Sequence, residues 1–252
     1  MEQPALRQPK PLQPFSNTIV ILNRPQDAGN IGAVVRAMKN MGFAELRLVQ
    51  PEPFTNEELL RVAHRCEDLI TRMARFENLD DALSDTDYVV GTAAIAHHKR
   101  PRTDDIRTLA QTLAKRTARG KVALLFGQED DGLDNYALDR RHLIAMLPSN
   151  RDYPALNLAQ SVLLFLHEIR MVAIDESMQP EELSEPLATQ AELEQLFQLS
   201  EEVLTRIGFF RYNPDAVLRT LRQITYRATL RSDEAKLLQA ILRKISNTQQ
   251  NG

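Results

Sequence analysis

Hydrophobic and polar positions along the first 174 residues alternate between short apolar runs and longer amphipathic stretches. Thr18-Ile-Val-Ile-Leu-Asn23 is a short β-branched run. A Gly/Asn turn follows it, then a helical stretch from Gly29 to Met41, then a second apolar run from Leu46 to Val49. The pattern recurs downstream. Tyr88–Gly91 reads as a strand, about 103–118 as a helix, Val122–Phe126 as a strand, about 134–140 as a short helix and Leu143–Leu147 as a strand. Residues 156–174 close the unit as a long helix. Strands alternating with helices predict an α/β fold, a parallel Rossmann-like sheet covered on both faces. The runs VALLF and YVV are apolar at every position, as strands buried on both sides require.

The period changes after residue 174. Residues 175–190 are acidic, carry Pro180 and Pro186 and lack aromatic residues, which reads as a linker. Beyond it Leu193, Leu196, Phe197, Val203, Leu204 and Ile207 mark one amphipathic helix ending near Gly208. Asn213-Pro214-Asp215 starts a second helix, and Ser232-Asp233-Glu234 caps a third that runs to about Ser246. Residues 1–16 hold prolines at 4, 9, 11 and 14 without the apolar core of a signal peptide, and read as a disordered tail. The expected organisation is a tail (1–16), an α/β domain (17–174), a linker (175–190) and a small helical domain (191–247).

Composition narrows the functional classes. In 252 residues, 43% hydrophobic and 26% charged, no apolar run is long enough for a bilayer, so a cytoplasmic protein without membrane contact is expected. The single cysteine, Cys66, excludes an internal disulfide and a Cys-rich metal cluster. His97-His98 lacks further ligands at suitable spacing and reads as part of a basic loop, so no metal is expected. His64 and Cys66 do not make a nucleophile pair, and His167 on the apolar helix reads as a core or interface residue.

The net charge of −3 conceals a strong asymmetry. Residues 97–121 hold eight Lys/Arg against two Asp, a balance of +6. Residues 204–244 hold nine against three acids, again +6, while 173–203 hold nine acids and no base. Local fields of this kind suit a phosphate-bearing partner whatever the total charge. Phe209, Phe210, Tyr212 and Tyr226 lie near the second segment, where they could stack on bases; Phe209 and Phe210 could equally be core of the helical domain.

Three loops carry the candidate chemistry. Asp27-Ala-Gly-Asn30-Ile-Gly-Ala-Val-Val-Arg36-Ala37 follows the first strand and opens a helix. Its two glycines would let the backbone turn tightly, and a helix N-terminus offers free amide hydrogens to an anion. It has neither the third glycine of a dinucleotide fingerprint nor the Gly-Lys-Ser/Thr of a P-loop, which argues against a mononucleotide-binding fold. Phe126-Gly127-Gln-Glu129-Asp-Asp-Gly-Leu133 follows the VALLF strand, at the end where open parallel sheets hold ligands. Leu147-Pro-Ser-Asn-Arg-Asp-Tyr-Pro154-Ala155-Leu156-Asn157 leads into the last helix of the unit, with Asn157 at an N-cap position.

Taken in order, these three loops resemble the three motifs of the SpoU-type branch of the SPOUT RNA methyltransferases. GNIGAVVRAMKNMG resembles the first motif, VALLFGQEDDGL the second and LPSNRDYPALNLAQSV the third. The helical extension, with GFFRYNPDAVLRTLRQITYRA, is similar to that of the TrmJ-type tRNA (cytidine/uridine-2′-O-)-methyltransferases within that branch. The resemblance implies a trefoil knot in the sheet, bound S-adenosyl-L-methionine and a homodimer with a shared active site. It also implies 2′-O-methylation of a pyrimidine at position 32 of the tRNA anticodon loop. Ribosomal RNA as substrate, or a knotted RNA-binding module with weakened catalysis, are the alternatives.

By position, the resemblance makes Arg36, Asn30, Glu129 and Asn157 the catalytic set, with Asn30 and Glu129 orienting Arg36 or the ribose. It makes Thr92, Ala93, Ala94, Gly127, Leu147, Pro154, Ala155 and Leu156 the cofactor loops. Two positions depart from the family pattern. Ala155 replaces a usual serine, and Gln128 replaces a common arginine.

Overall fold

The computed structural model describes residues 13–94, 101–150, 152–175, 186–210 and 213–248. Seven strands, β1 (Thr18–Asn23), β2 (Glu45–Val49), β3 (Ala74–Phe76), β4 (Tyr88–Thr92), β5 (Arg102–Thr103), β6 (Val122–Phe126) and β7 (Leu143–Ala145), form one sheet. Their order is β3-β2-β1-β6-β4-β7-β5, and every neighbouring pair is parallel. Helices α1 (Gln13–Ser16), α2 (Ala28–Met41), α3 (Asn56–Leu60), α4 (Glu67–Arg72), α5 (Leu79–Leu83), α6 (Ile106–Thr117), α7 (Asn135–Leu138) and α8 (Leu158–Ile174) accompany it.

Strand alternation sorts the core into two layers. Val20, Leu22, Leu48, Val90, Leu124 and Phe126 point to the side covered by α2, α6 and α8, against Val34, Met38, Leu113, Val162 and Phe165. Ile19, Ile21, Val49, Val89, Ala123 and Leu125 point the other way, onto Leu79 and Leu83 of α5 and Ala137 and Leu138 of α7. This is why the central strands carry no polar alternation.

The stretch between β2 and β4 gave no periodic signal, and neither did β5. There α3, α4 and α5 have only five, six and five residues, and β3 and β5 only three and two. Elements this short bury too few side chains to show a period. Residues 13–16 depart from the disordered tail expected of them: they form a helical turn whose Phe15 ring packs edge-on to Phe43, 4.8 Å between centroids. His167 is not a core residue, since its side chain is half exposed on α8.

The extension consists of α9 (Gln190–Arg206), α10 (Pro214–Ala228) and α11 (Ser232–Thr248). Its small core gathers Ala188, Leu193, Phe197, Tyr226 and Ala235. Of the segment expected as a linker, residues 176–185 lie outside the described residues, whereas Leu187 and Ala188 are buried and packed. The extension is bonded to the sheet domain. The Gln190 amide donates to Thr86 O at 2.6 Å and the Ala191 amide to Ser84 O at 3.0 Å. The Tyr226 ring packs against His142 in a tilted arrangement, 4.3 Å between centroids. Tyr226 is therefore not available to RNA bases: it is buried, and the Gln190 side-chain amide donates to its hydroxyl at 2.8 Å. Arg151, Arg211, Tyr212 and the basic stretch with His97-His98 lie outside the described residues.

Candidate active site

The three loops meet at the carboxyl ends of β1, β6, β4 and β7. After β1, Asp27 caps α2 and accepts the Asn30 amide at 2.9 Å. After β6, the chain doubles back so tightly that a Cβ on Gly127 would lie 2.0 Å from the Gly132 carbonyl carbon. Only glycine permits that approach. The fold-back aims Glu129 at the start of the first loop. Its carboxylate accepts the Gln26 amide at 2.9 Å, the Asp27 amide at 3.3 Å and the Asn30 side-chain amide at 3.0 Å. The third loop is closed by the Ser149 hydroxyl, which donates to Pro154 O at 2.9 Å.

Asn157 joins the set from the other side. It is the N-cap of α8, accepting the Ala159 and Gln160 amides, and its own amide donates to the Asn30 side-chain oxygen at 2.8 Å. Asn30 thus uses both ends of its side chain, donor toward Glu129 and acceptor from Asn157. One asparagine ties all three loops together. The positive pole expected at the start of α2 is met by the chain's own Glu129, so it is not an open anion site.

The glycines of the first loop play a different part from the tight turn expected of them. Both lie inside α2, which begins at Ala28. A Cβ on Gly32 would sit 2.8 Å from Leu59 O, so this glycine lets α2 lie against the end of α3.

Arg36 does not join the bridge. It is exposed, and its guanidinium donates to Val62 O at 3.4 Å. Six residues on from Asn30, it stands about 9 Å farther along α2 and on a different face. The expectation that Asn30 and Glu129 orient Arg36 is therefore corrected within one chain: their bonds go to the loop backbones and to Asn157.

Beside the bridge opens a cavity of about 390 Å³. All eight residues expected at the cofactor line it: Thr92, Ala93, Ala94, Gly127, Leu147, Pro154, Ala155 and Leu156. The sequence reading missed others. Ser161 and Phe165, one turn apart on α8, form part of the wall, as do Asp130 and Asp131. The two aspartates were legible as part of the acidic glycine-flanked turn. Nothing in the apolar pattern of α8 distinguished Ser161 or Phe165 from the core. Among the described residues the lining holds three carboxylates, Glu129, Asp130 and Asp131, and no Lys, Arg or His. Such a wall favours a ligand with positive charge and apolar surface. Gln128, at the position of a common family arginine, donates to Asp131 at 2.9 Å. Ala155 is exposed at the mouth.

Among the described residues no group of three or more His, Cys, Asp or Glu is placed to hold a metal ion, and no helix is long and apolar enough to cross a membrane.

Known proteins are similar to this chain in sequence and in fold. The tRNA (cytidine/uridine-2′-O-)-methyltransferase TrmJ of Sodalis glossinidius is 33% identical over 243 residues, covering 92% of each chain. The crystal structure of TrmJ from Z. mobilis ZM4 superposes with a TM-score of 0.79 at 30% identity, covering 91% of this chain and 99% of that one. The AdoMet-bound rRNA methyltransferase from Sinorhizobium meliloti matches 64% of this chain and 60% of its own, with a TM-score of 0.50 at 25% identity. The SpoU rRNA Methylase family matches residues 17–167, which include every residue of the bridge and of the cavity wall beside it, and the chain belongs to that family.

Proposed function

We propose that this protein is an S-adenosyl-L-methionine-dependent methyltransferase that modifies the ribose 2′-oxygen of cytidine or uridine at position 32 of the tRNA anticodon loop. The observation that carries the reading is the carboxylate-lined cavity beside the Asn30–Glu129–Asn157 bridge. The tRNA substrate is supported by the TrmJ relatives, which match the helical extension as well as the sheet domain. The cofactor is supported by the AdoMet-bound neighbour. The reading includes a cytoplasmic location and a trefoil knot formed by the chain around the cavity.

The residues present fit the cofactor. Glu129, Asp130 and Asp131 complement a sulfonium and an ammonium, and Phe126, Leu133, Leu147 and Phe165 offer apolar wall to an adenosyl group. Thr92, Ala93, Ala94, Gly127, Pro154, Ala155 and Leu156 would present mostly backbone groups to it. When bound, the cofactor would supply a methyl carbon on a positively charged sulfur, passed to a ribose 2′-oxygen as the carbon–sulfur bond breaks, the sulfur leaves as a neutral thioether and the hydroxyl proton goes to water. The chain mainly holds geometry. Asn30, Glu129 and Asn157 lock the loops that frame the cavity, so that the hydroxyl meets the methyl carbon in line.

The part assigned to Arg36 is electrostatic. Deprotonating a guanidinium near pH 7 costs roughly 7 kcal/mol, too much for a general base. It serves instead to clamp an RNA phosphate and to stabilise charge developing on the ribose oxygen. Its distance from the bridge fits an active site completed by a second copy. Leu163, Leu164, Met171 and Ile174, all exposed on α8, form an apolar stripe suited to that homodimer.

The test is methyl transfer from labelled S-adenosyl-L-methionine to unmodified tRNA and to ribosomal RNA, with wild type beside Arg36→Ala, and the methylated nucleoside located by digestion. A ribose-methylated pyrimidine at position 32, lost in Arg36→Ala, is expected. Transfer to ribosomal RNA alone would overturn the substrate, and no transfer with cofactor and tRNA both bound would leave only a binding module.

A further inference from the structure

A second cavity, of about 230 Å³, lies where the helical extension meets the sheet. Its walls come from Tyr88, Arg116, Arg141, His142, Arg227 and Thr229 among others, and among the described residues the lining contains three arginines and no carboxylate. The two basic segments of the sequence meet here, one through Arg116 of α6 and the other through Arg227 of α10.

Arg116 is the unusual member. Its guanidinium lies over the Tyr88 ring, 3.8 Å from the centroid, and donates to the Thr229 hydroxyl at 3.3 Å. Its Nε is buried and makes no hydrogen bond. Three other arginines with largely buried side chains face carboxylates: Arg47 grips Asp85 with two bonds, Arg140 grips Asp80 and Arg222 grips Glu194. Among the described residues Arg116 has only an aromatic face and a hydroxyl. Arg116 is half-buried, and burial without a carboxylate beside it disfavours its charge; an anion entering the cavity would relieve that cost. Arg227 is exposed and supplies a second cation at the same cavity. His142 adds no charge. Burial holds it neutral, pushed down to about 3, and its Nδ1 accepts the Val89 amide at 3.1 Å.

We infer that this interdomain cavity binds a phosphate group between Arg116 and Arg227. The volume suits a phosphate with a few waters and is small for a complete nucleotide. The planar forks of two arginines match a tetrahedral oxyanion. Arg116 belongs to the sheet domain and Thr229 to the extension, so the bound group would also pin the extension in place. The phosphate is either free in solution or part of an RNA backbone. Only the second source rests on the tRNA reading above, and binding of free phosphate can be measured without methyl transfer.

The experiment uses the full chain. Thermal unfolding is followed with rising inorganic phosphate, and chloride at equal ionic strength serves as control. Phosphate should raise Tm, as any ligand of the folded state does, and Arg116→Gln and Arg227→Gln should abolish the rise. Arg227 is exposed, so Arg227→Gln should fold even where Arg116→Gln does not. S-adenosyl-L-methionine affinity should be unchanged in Arg227→Gln. tRNA affinity is then titrated against salt. A backbone phosphate in the cavity predicts that Arg227→Gln weakens tRNA about tenfold and lowers the salt slope by about one. Unchanged tRNA binding with phosphate stabilisation lost assigns the cavity to free phosphate. No phosphate-specific rise in wild type, together with wild-type tRNA binding by Arg227→Gln, would overturn the inference.

Discussion

The two cavities cap opposite ends of the same strands and carry opposite charge. At the carboxyl ends of β4 and β7, Thr92 and Ala145 line a space with, among the described residues, three carboxylates and no base. At the amino ends, Tyr88 and Leu143 line a space with three arginines and no acid. Four residues of strand, roughly 13 Å, separate the ends of β4. The difference shows how one sheet holds two sets of opposite charge without either field cancelling the other. Each charge set sits in loops or helices beyond the strand ends, and the apolar strands between them keep the two apart. The acidic set is local, drawn from one loop. The basic set is assembled from segments over a hundred residues apart: the bond between Arg116 and Thr229 spans 113 positions.

The largest effect should come from breaking the acidic end alone. In Gly127→Ala the new methyl would collide with backbone at 2.0 Å and push the loop off its fold-back. Displacement on this scale is expected to cost about 100-fold or more in cofactor affinity by calorimetry, with phosphate stabilisation intact. Loss of both would show that the two ends are coupled.

Glu129→Gln sharpens the comparison by removing a charge and keeping the shape. One end of the glutamine is a donor, so at least one of the Gln26, Asp27 and Asn30 N–H groups now bonded to the carboxylate loses its acceptor. A stability loss of about 1–3 kcal/mol by urea unfolding is expected, with methyl transfer down about tenfold or more. Phosphate binding at the far end should not change.

The smallest effect concerns Asp87, next to Tyr88 but turned away from the basic cavity. Burial pushes its carboxyl up to about 6, with Asp85 and Glu192 adding to the rise and the Lys121 amide opposing it. A carboxyl raised in the folded state keeps its proton there after the unfolded chain has lost it. Stability from this group is therefore present below about pH 4 and is lost as pH rises toward 6. Asp87→Asn should remove that loss and be more stable than wild type above pH 7 by about 1–2 kcal/mol, after discounting for solvent screening. Equal unfolding curves for the two at pH 5 and pH 8 would show that the residue titrates normally. Cofactor affinity should not respond.

Much of this was legible in the residues themselves. The buried strands declared themselves because Val122–Phe126 and Tyr88–Val90 are apolar throughout, and α2, α6 and α8 because their apolar positions recur at helical spacing. The cofactor loops were legible because each is a contiguous stretch with its own glycines, proline or cap. Tyr226 was misread because an aromatic in a basic segment looks the same whether it faces RNA or, as here, a buried histidine. That Arg36 does not meet Asn30 or Glu129 within one chain was not legible, because loop order carries no information on which face of α2 a side chain occupies.

The sequence by itself determined the parallel α/β class, the helical extension and the loop residues around the acidic cavity, since these depend on periodicity and on neighbours within a dozen positions. Only the tertiary structure decided that Asn30 bonds Asn157 across 127 positions, that Glu129 fills the start of α2, and that two distant basic segments share one cavity. Contacts of that range depend on how helices and loops come to rest against the sheet, and that is set by the packing of the whole core rather than by any local run of residues.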